Sequence, residues 1–132
     1  MNEGYSIGSV YRTHDGTKRR PVVIVSDGLG IDIDLNVARI TSSEKRNRFD
    51  VELTYWHEAG LHKPSVVRCS KINTIKPGKR MIKIGELHDE DLEMVLNTVY
   101  EHFKEAREKA LKRKRENEEG FLKNGDLGED PN

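Results

Sequence analysis

Residues 22–25 read Val-Val-Ile-Val, an unbroken run of β-branched apolar side chains that predicts a strand covered on both faces. Pro21 falls at that strand's first position, where a missing N–H removes no ladder bond. Upstream, Ile7–Arg12 alternates well enough for a first strand, bent at Gly8. Thr13–Lys18 is a polar loop around the Asp15-Gly16 turn signal. Beyond the turn at Asp27–Gly30, Leu35–Thr41 has period two. Leu35, Val37, Arg39 and Thr41 share one face, Asn36, Ala38 and Ile40 the other, so the inward face stays open. Ser42–Arg48 reads as an exposed basic turn. Phe49, Val51 and Leu53 then alternate with Asp50, Glu52 and Thr54 as a half-buried strand. Tyr55–Lys63 is a loop, Ser65–Cys69 a short buried strand, and Ile72–Ile75 leads into the Pro77-Gly78 turn. Met81, Ile82 and Ile84 form a last strand ending at Gly85. Five or six short strands with no helix between them predict an antiparallel barrel or sandwich.

From Asp89 the period lengthens. Leu92, Val95, Leu96, Val99 and Phe103 recur every three or four residues, the apolar stripe of an amphipathic helix. His88 or Asp89 caps it, and Asp91 favours its positive end. Past Phe103 the stripe thins to Ala106, Ala110 and Leu111. Charged rows such as Glu101–Glu105–Lys109 then carry the helix into solvent until Gly120 stops it. Phe121–Asn132 has the composition of a disordered tail. The expected organisation is a domain over 1–103 and a charged helical extension with tail over 104–132.

Composition narrows the class. Hydrophobic residues make up 34% and charged ones 35% of 132 residues, enough for one core with part of the chain outside it. The 23 basic residues balance 23 acidic ones, so only local clustering can argue for nucleic acid. The single cysteine, Cys69, rules out an internal disulfide framework and fits a reducing cytosol. No stretch reaches membrane-spanning length, and the N-terminus lacks a signal pattern, so a soluble cytoplasmic protein with no membrane partner is expected.

Candidate chemistry is sparse. Three histidines (His57, His62, His88) have no cysteine partner or His-Glu-x-x-His spacing, so no metal site is expected. Cys69, mid-strand among apolar neighbours, reads as a buried inert thiol, and Asp27–Gly30 as turn chemistry rather than a phosphate loop. What remains is Arg20 at one strand's start, Thr41 at another's end, Arg68 inside a buried strand and His14 in a loop. Guanidinium groups donate in pairs and keep their charge, which suits a phosphodiester. An arginine such as Arg68 among buried neighbours needs an acceptor or a cleft; the plain alternative is a pair with an internal carboxylate such as Glu52.

From about Ile7 to Phe103 the chain resembles the MazF/PemK family of toxins from bacterial toxin–antitoxin systems. The carrying segments are Arg-Arg-Pro-Val-Val-Ile-Val-Ser (19–26), Val-Ala-Arg-Ile-Thr-Ser (37–42) and Gly-Leu (60–61). Ser-Val-Val-Arg-Cys-Ser-Lys-Ile-Asn-Thr-Ile (65–75) and Lys-Ile-Gly-Glu-Leu (83–87) complete them. The resemblance implies a mainly β fold, an SH3-like barrel closed by a C-terminal helix. It also implies a homodimer that cleaves single-stranded RNA without a metal or other cofactor and is held in check by a cognate antitoxin. Arg20 matches the family's catalytic arginine, Thr41 its catalytic threonine, Arg68 the strand arginine on the scissile phosphate, and His14 a histidine of the PemK branch. Lys18, Arg19, Ser42, Lys45, Arg46 and Ser70 are then the expected RNA contacts, with Phe49, Tyr55 and Trp56 as stacking candidates.

Three features depart from the family pattern. The loop between the first two strands is short, Ser70 stands where many members have Asp, and the charged helix and tail extend past the usual end. They keep two other classes in play: a non-catalytic module on the same fold, gyrase-poison-like or nucleic-acid-binding, and an interaction protein working through the helix.

Overall fold

The computed structural model describes residues 5–15, 18–78 and 80–123. Six strands run in order: β1 (Ser9–Asp15), β2 (Lys18–Ser26), β3 (Leu35–Thr41), β4 (Asp50–Glu52), β5 (Val66–Ile75) and β6 (Met81–Glu86). The helix α1 (Asp89–Lys123) follows them. They form one sheet in the order β4-β5-β3-β2-β1-β6, every neighbour antiparallel. The mainly β architecture with a C-terminal helix is as expected. Closure is not, because among the described residues β4 and β6 form no ladder with each other. The segment leaving β4 instead meets β6 backbone to backbone. A Cβ on Gly60 would collide with the Ile84 carbonyl, and one on Gly85 with the backbone of Ala59. Glycine is required at Gly60 twice over, since its φ is +80°.

Side chains on both faces of β2 are buried, as the Val22–Val25 run predicts. Val23, with Val10, Ala38, Ile40, Val67 and Cys69, packs toward Val95 of α1, while Val22 and Ile24 join Tyr11, Leu35 and Val37 on the reverse face. Fully burying a side chain such as Val95 contributes roughly 1.5–3 kcal/mol, which anchors the first turns of the helix. The described residues up to Val99 form one compact unit and those from Tyr100 a second, wholly helical one.

Several boundaries differ from expectation. The β1–β2 ladder continues to Asp15↔Lys18, so His14 lies on a strand rather than in a loop, and the Asp15-Gly16 turn falls partly outside the described residues. Pro21 is therefore internal to β2. Its missing N–H acts on the other side, where the β2–β3 ladder ends at Val22↔Arg39, one step before Pro21 would face Ile40. The stretches at 65–69 and 72–75 are one strand, β5, with an irregularity opposite Ala38 and Arg39. The 49–54 stretch shortens to Asp50–Glu52, and Asp50 is buried although its alternation placed it outward. Finally, α1 passes through Gly120 to Lys123; the rest of the expected tail lies outside the described residues.

Candidate functional site

Cross-strand partners in an antiparallel sheet project from the same face, so the register decides which side chains can meet. One row runs Tyr11–Val22–Arg39–Arg68–Asp50 across β1, β2, β3, β5 and β4. The next row carries Thr13 and Arg20 on β1 and β2, and Thr41 and Val66 on β3 and β5. Arg20, Thr41 and Arg68 thus rise from a single face. Between Arg20 and Thr41 the β2–β3 ladder has already stopped at Val22↔Arg39, so the two strands part at that level.

On this face lies a hollow of about 760 Å³. Its lining includes Arg20, Arg39, Lys76 and Arg80 over an apolar floor that contains Val22, Val37 and Met81. Thr13, Asn73 and Thr74 add polar atoms, and no carboxylate lines it. Four cations with no internal counter-charge make a place for an anion, in a chain whose total charge is zero.

The end of the row has its own electrostatics. Asp50 accepts from Arg46 Nε at 2.9 Å, from Arg46 Nη2 at 3.0 Å and from the Arg46 backbone N–H at 2.8 Å. These bonds, with Arg68 adding a smaller attraction, hold the Asp50 carboxyl below its usual range despite burial. Arg46, expected on RNA, instead ties the 42–48 turn to the sheet. Arg68 stands beside Asp50, not beside Glu52, which faces Val66 from an exposed position. With that carboxylate bonded by Arg46, the buried Arg68 Nε has no hydrogen-bond partner. Thr41 Oγ1 accepts from the Ser43 N–H at 3.2 Å, which leaves its hydroxyl hydrogen to donate.

The remaining expected residues scatter. His14 pairs with Arg19 across β1–β2, by register on the reverse face from Arg20, although His14 contributes to the hollow's margin. Ser42 and Lys45 line a second hollow of about 440 Å³ with Glu52 and Pro64. Ser70 sits in the irregular part of β5, and the side chain of Lys18 lies outside the described residues. Tyr55, on the loop after β4, stacks on His88 at 3.8 Å, and Trp56 beside it meets His57 in a tilted contact at 4.5 Å, while Arg48 lies 4.3 Å over Phe49. Cys69 is fully buried, its thiol pushed up to about 12 by burial, which keeps it a packing group. Arg39 is the residue the sequence reading passed over. Its signal was the alternation that puts it two positions before Thr41 on one face.

Among the described residues no three His, Cys, Asp or Glu side chains gather as a metal site, and no helix is long and apolar enough to cross a membrane. Residues 9–103 match the family model described as PemK-like, MazF-like toxin of type II toxin–antitoxin system. No curated protein matches the chain. Among solved structures, the Mycobacterium tuberculosis toxin MazF-mt6 is 24% identical, with a TM-score of 0.60 over 73% of this chain and 96% of that one. The MazE–MazF complex of Deinococcus radiodurans is 22% identical, with a TM-score of 0.61 over 74% and 93%. An endoribonuclease in complex with its cognate antitoxin, from a mycobacterial species, is 20% identical, with a TM-score of 0.60 over 70% and 88%.

Proposed function

The chain belongs to the PemK-like, MazF-like toxins of type II toxin–antitoxin systems, and on that premise we propose that it is an endoribonuclease acting on single-stranded RNA. The observation that carries this reading is the gathering of Arg20, Thr41 and Arg68 on one face, beside a cation-lined hollow free of carboxylates.

In the proposed reaction the 2′-hydroxyl oxygen attacks the adjacent phosphorus and the P–O5′ bond breaks. The products are a 2′,3′-cyclic phosphate and a 5′-hydroxyl end. Charge builds on the non-bridging oxygens in the transition state, where fixed guanidinium groups act most strongly. Arg20 and Arg68 supply them, and the Thr41 hydroxyl donates to the same group. The 2′-hydroxyl gives up a proton and the leaving 5′-oxygen takes one. Guanidinium does not release a proton near neutral pH, so His14 at the hollow's margin is the group assigned to proton transfer.

Two of the similar structures hold a toxin with its antitoxin, and an acidic, apolar segment of such a partner would suit this hollow, with its cations over an apolar floor. We read the active form as a homodimer, as the family resemblance implies.

The test is induced expression of wild type and Arg20→Ala, with mapping of RNA ends. Growth arrest with new 5′-hydroxyl ends in wild type alone is the expected result. Equal growth and intact RNA in both would refute catalysis. Arrest without new ends would instead identify a non-catalytic binding module on this fold.

A further inference from the structure

We propose that Arg39 is a phosphate-binding residue that holds the backbone of the RNA strand next to the phosphate gripped by Arg68 and Arg20. The inference deepens the endoribonuclease reading and rests on it for the identity of the ligand. Arg39 and Arg68 are direct cross-strand partners on β3 and β5. Like charges placed opposite one another destabilise a sheet. One end of the row is Tyr11; Asp50 at the other end attracts Arg68 beside it but gives its hydrogen bonds to Arg46, and Arg39 stands one strand further away. Among the described residues Arg39 makes no ion pair or hydrogen bond through its side chain, and the buried Arg68 Nε has no acceptor. The Arg39 guanidinium is thus left for a ligand to neutralise.

On the endoribonuclease reading that ligand is a phosphodiester. Arg39 lines the hollow with Arg20, whereas Arg68 and Thr41 stand beside it on the same face. Arg39 and Thr41 are two residues apart on β3, a separation of roughly 7 Å. A planar fork binds each phosphate through two parallel N–H donors.

The experiment measures binding of a short single-stranded RNA, 2′-O-methylated so that it is not cleaved, to the full chain across a salt series. Wild type, Arg39→Ala and Arg39→Lys are compared, with thermal unfolding of each free protein. Arg39→Ala is expected to weaken binding about tenfold and to flatten the log K against log salt slope by about 0.7, the loss of one phosphate contact on a single strand. It should also leave the Tm unchanged or raise it, because a like-charge contact goes, and Arg39→Lys should restore the slope. Unchanged slope and affinity in Arg39→Ala would overturn the proposal. So would a lowered Tm with loss of folded protein in step with loss of binding, or no RNA binding by wild type. If RNA binding ignores Arg39 while a Glu-rich peptide depends on it, the residue serves an acidic protein segment and the proposal fails. Cleavage of unmodified RNA is scored separately. Arg39-dependent binding without cleavage sinks the endoribonuclease reading alone, and cleavage with Arg39-independent binding sinks only this inference.

Discussion

Asp50 is the residue whose role was least visible beforehand. Alternation assigned it outward, yet it is 1% exposed, because Arg46 reaches back from the preceding turn and supplies both of its oxygens with donors. A buried carboxylate persists only when paired in this way. Its pKa is lowered on folding, so it contributes stability at pH above the unfolded carboxylate's value of about 3.9, and that contribution fades as pH falls through the lower folded value. Asp50→Asn is therefore expected to lower the Tm at pH 7 and to narrow the gap from wild type as pH approaches 3. A gap independent of pH, read by calorimetry, would show that charge is not the cause. Arg68 was noticed from sequence as an arginine among buried neighbours, with Glu52 offered as an example of a carboxylate that could pair with it; the carboxylate beside it is Asp50. Chain proximity to Glu52 says nothing about which strand residue stands opposite; the register names Asp50.

Among the elements, α1 is the clearest case of a feature half legible. The three-to-four spacing of Leu92, Val95, Leu96 and Val99 located the helix, and His88 caps it, its Nδ1 accepting from the Glu90 N–H at 3.1 Å. The place of Asp91 in the first turn read only as a favourable dipole contact. Folded, its carboxylate accepts from the backbone N–H groups of Thr54 at 3.1 Å and Tyr55 at 2.8 Å, pinning the loop after β4 to the helix start. Asp91→Ala would leave both amides without that acceptor and is expected to destabilise by roughly 1.5–3 kcal/mol in chemical denaturation, the usual worth of a hydrogen bond to a charged group. A loss below 1 kcal/mol would mean that water replaces the carboxylate. Strand boundaries were less legible. Polar residues such as Thr13 and His14 extend a ladder once a partner strand is present, which local pattern does not encode. Gly120 failed as a stop signal for the opposite reason, because a glycine in a long helix costs only about 1 kcal/mol and neighbouring good formers outweigh it.

For the molecule as a whole, the family match ends at residue 103 while the helix continues to Lys123. All of the residues assigned to RNA lie before that point, and the described residues to Val99 form one unit. On the proposed endoribonuclease reading, a chain ending at Phe103 should therefore fold cooperatively and give the same RNA ends as the full chain. Loss of cleavage from a truncated chain that still unfolds cooperatively would assign the extension a direct part in the reaction. Sequence alone determined the class of fold, the position of the helix and the identity of Arg20, Thr41 and Arg68 as residues to follow. Those follow from local period, turn chemistry and the few cations set against apolar runs. Only the tertiary structure decided that the sheet stays open, that His14 and Arg20 leave their ladder on opposite sides, and that Arg39 faces Arg68. Register is the reason: it is fixed by the packing of distant strands, and a shift of one residue would turn every side chain to the other face.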